Sequence, residues 1–224
     1  MQATYHVYRY MKVIITGTTG MVGEGVLLEC LNNPAVEKVL SVSRKKCGIT
    51  HPRLMELLVS DFTKLSDYTN EVKGYDACFF CAGISSVGMS EEQFTQITYD
   101  TTLAFAKTLV DINPEMTFIY VSGASTDSTE KGKVMWARVK GKTENDLHKL
   151  GFHKQLNFRP GGMLPYPRQQ HAKKLYIVIA NILKVFMPSK ILSLSEVGQA
   201  MIHAVQRDVT QNIYEIKDIK ALSK

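Results

Sequence analysis

Cysteine is scarce in this sequence, and its placement excludes two chemistries. The four residues are Cys30, Cys47, Cys78 and Cys81. Cys78 and Cys81 flank Phe79-Phe80 in an apolar, strand-like run, where side chains three apart point to opposite faces. No second pair stands at metal-ligand spacing, so neither a zinc site nor a redox pair is expected, only buried strand thiols. Free thiols, and residues 1–10 without an apolar signal core, lead to the expectation of a reducing, cytoplasmic setting. Internal repeats, low-complexity tracts and a Pro/Gly/Ser linker are missing too. The 224-residue chain therefore reads as one domain over 11–224, behind an N-terminal extension (1–10) that precedes a second methionine, Met11. No apolar run reaches the ~20 residues of a membrane span. Leu175 to Met187, after Lys173-Lys174, is interrupted by Asn181 and Lys184. Such a helix can lie on a bilayer surface, pack within the chain or serve a homodimer. The formal charge of +6 comes without a basic stripe or a nucleic-acid-binding motif, so it fits an anionic small molecule and not nucleic acid.

What the chain does have is a β-branched run, Val13-Ile14-Ile15-Thr16, that empties into Gly17-Thr18-Thr19-Gly20-Met21-Val22-Gly23. A helical pattern follows at once, with Val22, Val26 and Cys30 on one face, widened by Leu27, Leu28 and Leu31, and it stops at Asn32-Asn33-Pro34. Strand, tight turn and helix N-terminus form the arrangement that cradles a dinucleotide pyrophosphate. Gly17 permits the turn, Gly20 lets the backbone approach phosphates, and Gly23 lets the helix pack close to the strand. The unpaired N–H groups of the first helical turn supply donors and partial positive charge.

The alternation continues. Strands are predicted at Val39–Ser43, Leu57–Asp61, Ala77–Cys81, Thr117–Ser122, Lys154–Arg159 and Ile213–Ile216. Helices are predicted at Glu91–Val110, Val134–Leu150 and Glu196–Gln206. Strands buried on both faces and alternating with helices predict an α/β fold, a doubly wound parallel sheet, with residues 160–210 forming a small substrate-side lobe. Ligands bind beyond the carboxyl ends of such strands. There the sequence places Gly17–Gly23, Arg44, Asp61, Cys81-Ala82-Gly83, Ser122–Ser125 and Pro160-Gly161-Gly162-Met163.

An acid is absent from the end of the second strand, where one would accept from a ribose 2′-hydroxyl. Ser43 is followed by Arg44-Lys45-Lys46. Arginine pairs with a 2′-phosphate through its planar fork and lysine adds a point charge, so NADP(H) is expected over NAD(H). Asp61, with Phe62 beside it, either accepts from an adenine amino group or caps a helix.

Thr16–Gly23, Cys81-Ala82-Gly83, Val121–Ser125 and Arg159-Pro160-Gly161 together resemble the short-chain dehydrogenase/reductase superfamily. The resemblance is to its extended and atypical branch, the NAD-dependent epimerase/dehydratase-like proteins, and within that to the Tat-interacting, tumour-suppressor-type oxidoreductases. It covers Met11 to Pro165 and implies a Rossmann fold. It also implies a Tyr-x-x-x-Lys pair on the helix after the fifth strand, but here that segment reads Trp136-Ala137-Arg138-Val139-Lys140. The lysine stays and the phenol is gone. Residues i and i+4 share a helix face, and in the family the ammonium lowers the phenol pKa for proton transfer. An indole N–H donates but does not ionise usefully. The resemblance gives Lys140 the nicotinamide ribose, and it puts the family's serine at Ser122 or Ser125; either hydroxyl orients a carbonyl or caps a turn. Trp136 stacks on substrate or fills the core. Tyr166 is a conceivable substitute acid, while His148 and His171 show no partners and read as surface residues.

Three functions fit. The first is an NADPH-dependent oxidoreductase acting on a small carbonyl or alcohol. The second is a nucleotide-binding regulator without turnover, which Trp136 favours. The third is a sugar-nucleotide epimerase or dehydratase, for which the missing tyrosine and the roughly 60 residues after Pro160 count as unfavourable.

Overall fold

The computed structural model describes residues 10–167, 169–171 and 190–224. The segment 173–187 discussed above, and residues 1–9 of the N-terminal extension, lie outside the described residues. The order is β1 (Met11–Thr16), α1 (Met21–Asn32), β2 (Val36–Ser43), β3 (Leu54–Leu58), a 3₁₀ segment (Phe62–Tyr68), α2 (Thr69–Val72), β4 (Ala77–Phe80), α3 (Glu91–Thr95), a π-helical turn (Gln96–Asp100) and α4 (Thr101–Ile112). There follow β5 (Thr117–Val121), α5 (Met135–His148), β6 (Lys154–Arg159), β7 (Gly162–Leu164), β8 (Ile191–Ser193), α6 (Leu194–Gln206), β9 (Ile213–Glu215) and α7 (Ile216–Leu222).

Seven strands pair in the order β3-β2-β1-β4-β5-β6-β9, every pair parallel. β7 and β8 form a separate parallel pair. The apolar strand residues alternate between two cores, one on each face. Val13, Ile15, Phe79, Ile119 and Phe158 pack with Val26, Leu27 and Cys30 of α1 and with Val197 and Met201 of α6. Ile14, Cys78, Phe80, Phe118 and Tyr120 pack with Phe62, Phe105, Leu109 and Leu147 on the opposite side. Strands buried on both faces cannot show polar alternation, which is why β1, β4 and β5 read as continuous apolar runs. The expected doubly wound α/β sheet, Rossmann-like, is what the chain forms.

Several boundaries differ from expectation by one to three residues, the second strand for example beginning at Val36 and not Val39, and three differences are larger in kind. The third strand is Leu54–Leu58, not Leu57–Asp61. It is the sheet edge, with Met55 and Leu58 exposed, so burial does not mark it in the sequence. The expected single helix at Glu91–Val110 is α3 and α4 joined by the π turn. The β7–β8 pair had no signature in the sequence, since each strand is only three residues long.

Candidate functional site

The crossing of β1, α1 and β4 sets the site. Gly17 leaves β1 with φ 73°, and a Cβ there would lie 2.7 Å from the Ala82 nitrogen. Only glycine combines that dihedral with that approach. Thr16 Oγ1 accepts from the Ala82 N–H at 3.1 Å, tying the ends of β1 and β4 together. Gly20 donates to the Gly17 carbonyl at 2.9 Å and starts α1 without a side-chain cap. A Cβ on Gly23 would stand 2.2 Å from the Gly17 oxygen, so the helix sits as close to the turn as backbone allows. The first-turn amides of Met21, Val22 and Gly23 precede any intrahelical partner and can face an anion.

A cavity of about 630 Å³ opens over this turn. Its wall takes Gly17, Thr19, Gly20, Met21, Val22 and Gly23 from the loop, Ser43 and Arg44 from the end of β2, and Asp61 and Phe62 after β3. Cys81, Ala82, Gly83 and Ile84 follow β4, and Ile97, Thr98 and Thr101 come from the π turn and α4. A volume of this size suits a nucleotide-sized ligand. Phe62 is buried against Phe105, 5.2 Å between ring centroids. Asp61 does cap the 3₁₀ segment: Oδ1 accepts from the Thr63 N–H at 3.0 Å and its hydroxyl at 2.7 Å, which holds its carboxyl below the usual range. Thr18 is turned away from the cavity, its hydroxyl 2.6 Å from that of Ser41 under β2. Burial pushes the Cys81 thiol up to about 12, so it stays neutral. Thr98 was missed in the sequence. Its hydroxyl is the one buried side-chain polar atom without a hydrogen-bond partner among the described residues. It sits in a π turn, a local distortion frequent at functional sites.

A second cavity, about 540 Å³, adjoins the first through Thr19 and Arg44. Lys45, Lys46 and His171 are its other described lining residues. His171 is exposed, as expected, but it is not partnerless. Its Nδ1 lies 3.0 Å from Oε2 of Glu24, a buried carboxylate in the first turn of α1.

The β5–β6 side is built differently. Ser122, Ser125, Trp136, Lys140, Pro160, Gly161 and Met163 line neither cavity. Ser122 is buried, and its hydroxyl donates to the Phe158 carbonyl at 3.3 Å. Ser125 is exposed, with φ 68°. Lys140 donates to the Ser122 carbonyl. Burial pulls its pKa down to about 8 against the opposing pull of Glu144. The Trp136 ring edge lies 3.9 Å from where a Gly123 Cβ would stand, closing over the turn after β5. Pro160 accepts from the Ala124 N–H at 2.8 Å, Gly161 abuts Ile216, and Met163 pairs with Leu192 in β7–β8. Beneath them, Arg159 grips both oxygens of the buried Glu144 and reaches Glu215 at 3.2 Å. No spacing pattern signals that cluster in the sequence. Tyr166 is no substitute acid: its hydroxyl accepts from the Asn32 amide at 3.0 Å, at the far end of α1. His148 is exposed at the end of α5. No described helix is long and apolar enough to cross a membrane.

The chain is similar to Protein fmp52, mitochondrial, of Emericella nidulans: 27% identical over 67% of this chain and 66% of that one. It is also similar to Protein HTATIP2 of Rattus norvegicus, 27% identical over 68% of this chain and 63% of that one. The chain thus spans a little under two thirds of the length of both. Among solved structures, a short chain dehydrogenase from Burkholderia cenocepacia in complex with NADP superimposes with a TM-score of 0.67. It is 14% identical, covering 96% of this chain and 92% of that one, a likeness of fold. The cytoplasmic setting expected from free thiols is overturned by the fmp52 relatives, which are named mitochondrial. Reduced cysteines fit a reducing setting, and a reducing setting does not single out one compartment. The model of the NAD dependent epimerase/dehydratase family matches residues 13–133, more than half of the chain, and the protein belongs to that family.

Proposed function

We propose that this protein is an NADP(H)-binding oxidoreductase acting on a small carbonyl or alcohol. The observation that carries this reading is the pair of joined cavities. One is walled by backbone amides and the Asp61-Phe62 floor, and the other by Arg44, Lys45 and Lys46 with no acid among its described lining residues. The residues present fit a dinucleotide: a glycine turn that no side chain fills, first-turn amides uncapped by any side chain, and an unsatisfied Thr98 hydroxyl in the wall. Arg44 and Lys45 hold the 2′-phosphate, and Thr19 to Gly23 the pyrophosphate. Asp61, Phe62, Cys81, Ala82 and Gly83 surround the adenosine. Pro160, Gly161 and Met163 border the nicotinamide end, with residues 160–210 as the substrate-side lobe. The cofactors named in structures of like fold, NADP in one and NAD in others, support a nicotinamide dinucleotide, and the mitochondrial names of the fmp52 relatives support a mitochondrial location.

When bound, the nicotinamide supplies a hydride. Lys140, a donor whose pKa lies near 8, holds the ribose side and relays a proton through water, in the absence of a phenol at position 136. Ser122 or Ser125 orients the substrate oxygen. The test is NADPH consumption, followed at the nicotinamide absorbance band, against a panel of small carbonyls. Turnover with any of them supports the enzyme, and Trp136→Tyr is expected to raise it at least tenfold.

A second reading, NADP(H) binding without turnover, is favoured by one observation. The Ser122 hydroxyl and the Lys140 ammonium are both spent on main-chain carbonyls of β5–β6. Tight binding with no consumption by either the wild type or Trp136→Tyr would establish it in place of the first.

A further inference from the structure

Residues 169–171 are fastened along the start of α1. Gln169 donates to the Met21 carbonyl, and Gln170 and His171 each donate a backbone N–H to Glu24 at 2.7 Å. Glu24 is 1% exposed, and among the described residues the three groups that hydrogen-bond its carboxyl all come from this segment, partners that a buried carboxylate needs. The third is the His171 ring. With Nδ1 held by a carboxylate, the imidazole is fixed in orientation, and Nε2 is the nitrogen left on the opposite edge. That ring lines the smaller cavity, where the other walls are Thr19, Arg44, Lys45 and Lys46. Among the described residues, the charged groups facing His171 are thus Glu24 from α1 and the three cations from the β2–β3 segment. A cavity with this wall repels cations and suits a doubly charged phosphomonoester. It joins the larger cavity through Thr19 and Arg44, which is where a ribose 2′-substituent would project if the pyrophosphate lay on the glycine turn.

We infer that His171 is a specificity residue for the ribose 2′-phosphate, aimed into the cationic cavity by Glu24. The segment after β7 thereby reads the charge of a ligand seated on β1 and β2. The inference rests on the NADP(H) reading and adds to it a residue some 130 positions beyond the Arg44 cluster. A phosphomonoester there accepts from the Nε2 N–H while the Nδ1 N–H donates to Glu24, so ligand, imidazole and carboxylate form one hydrogen-bonded chain. Docking of the 169–171 segment and recognition of the phosphate then reinforce each other.

Calorimetric titration of the full chain with adenosine 2′,5′-bisphosphate and with 5′-AMP tests this. The wild type is expected to prefer the bisphosphate by more than tenfold. His171→Ala should cut that preference about tenfold and leave 5′-AMP affinity unchanged. His171→Gln, whose amide puts a donor near Nε2, should keep most of it. Both variants retain the backbone amides that Glu24 accepts, so the segment stays fastened, and thermal melts check this. A purely packing role for His171 would weaken both ligands by the same factor, and that result, or an unchanged preference in His171→Ala, overturns the inference while leaving the NADP(H) reading intact. A wild type that does not distinguish the two ligands removes the NADP(H) reading and this inference together.

Discussion

The two halves of the crevice spend their polar groups in opposite ways. Among the described residues over β1, β2 and β4, the cavity wall offers uncapped first-turn amides, the three cations Arg44, Lys45 and Lys46 with no acid beside them in the smaller cavity, and a hydroxyl with no partner. Over β5 and β6, the comparable groups already answer one another: Ser122 with Phe158, Lys140 with Ser122, Arg159 with Glu144 and Glu215. The first half carries unsatisfied polar capacity that a ligand can satisfy. The second is a self-satisfied core whose removal costs fold before it costs binding. Trp136 lies on the self-satisfied half, beside the turn after β5.

The largest effect expected lies on the self-satisfied side. Arg159→Met strips Glu144, 2% exposed, of its main partner and leaves a buried carboxylate uncompensated. Chemical denaturation should show a loss of about 3–5 kcal/mol. Arg159→Met with Glu144→Leu should recover most of it, because no charge is then stranded. A loss under 1 kcal/mol for the single variant would mean that this half is as loosely committed as the other.

Next comes Lys140. Burial holds its pKa near 8 in the folded chain, below its unfolded value. Between about pH 8 and the unfolded lysine pKa, the unfolded chain binds more protons, so this group makes stability rise with pH across that window. Below pH 8 both states are protonated and the slope vanishes, while the full penalty of burying the ammonium remains. Lys140→Met is expected to be more stable than wild type at pH 7 by about 2 kcal/mol and to lose the upward slope. Denaturation midpoints between pH 7 and 10 measure both.

On the open side, Arg44→Ala should weaken NADP(H) about tenfold to thirtyfold and NAD(H) no more than twofold, since the guanidinium answers only the added phosphate. Equal losses for the two ligands would show Arg44 acting on the shared part of the molecule and would erase the electrostatic contrast between the cavities.

The sequence displayed one half of this contrast better than the other, for a physical reason. Glycine turns, a β-branched strand and a run of cations are local, and Gly17, Gly23 and Arg44 all line the larger cavity. The fold was legible for the same reason, through strands such as Lys154–Arg159 that are bounded by their own breakers. The Glu24–His171 contact joins residues 147 apart, and Arg159–Glu215 joins residues 56 apart. Neither has a periodicity to betray it. The π turn at Gln96–Asp100 was hidden because one extra residue in a helix leaves composition unchanged and only rotates the face that follows.

That rotation bears on the smallest effect expected. Thr98 is 6% exposed, its carbonyl is taken by the Thr102 hydroxyl at 2.5 Å, and its own hydroxyl has no partner. An unanswered buried hydroxyl costs about 1 kcal/mol or somewhat more, and valine fills the same volume without it. Thr98→Val should therefore raise the stability of the ligand-free protein by about 1 kcal/mol, a sign opposite to most core substitutions. If the hydroxyl is kept because a nucleotide completes it, the same variant should bind NADPH several-fold more weakly. Thr98→Ser, which retains the group, should match wild type in affinity. Thermal melts and calorimetry on the three proteins then read two numbers that move in opposite directions. A variant that gains stability with no loss of affinity would reduce the open half of the crevice to its amides and cations. One that loses stability would mean the hydroxyl already has a partner and the contrast between the halves is weaker than drawn.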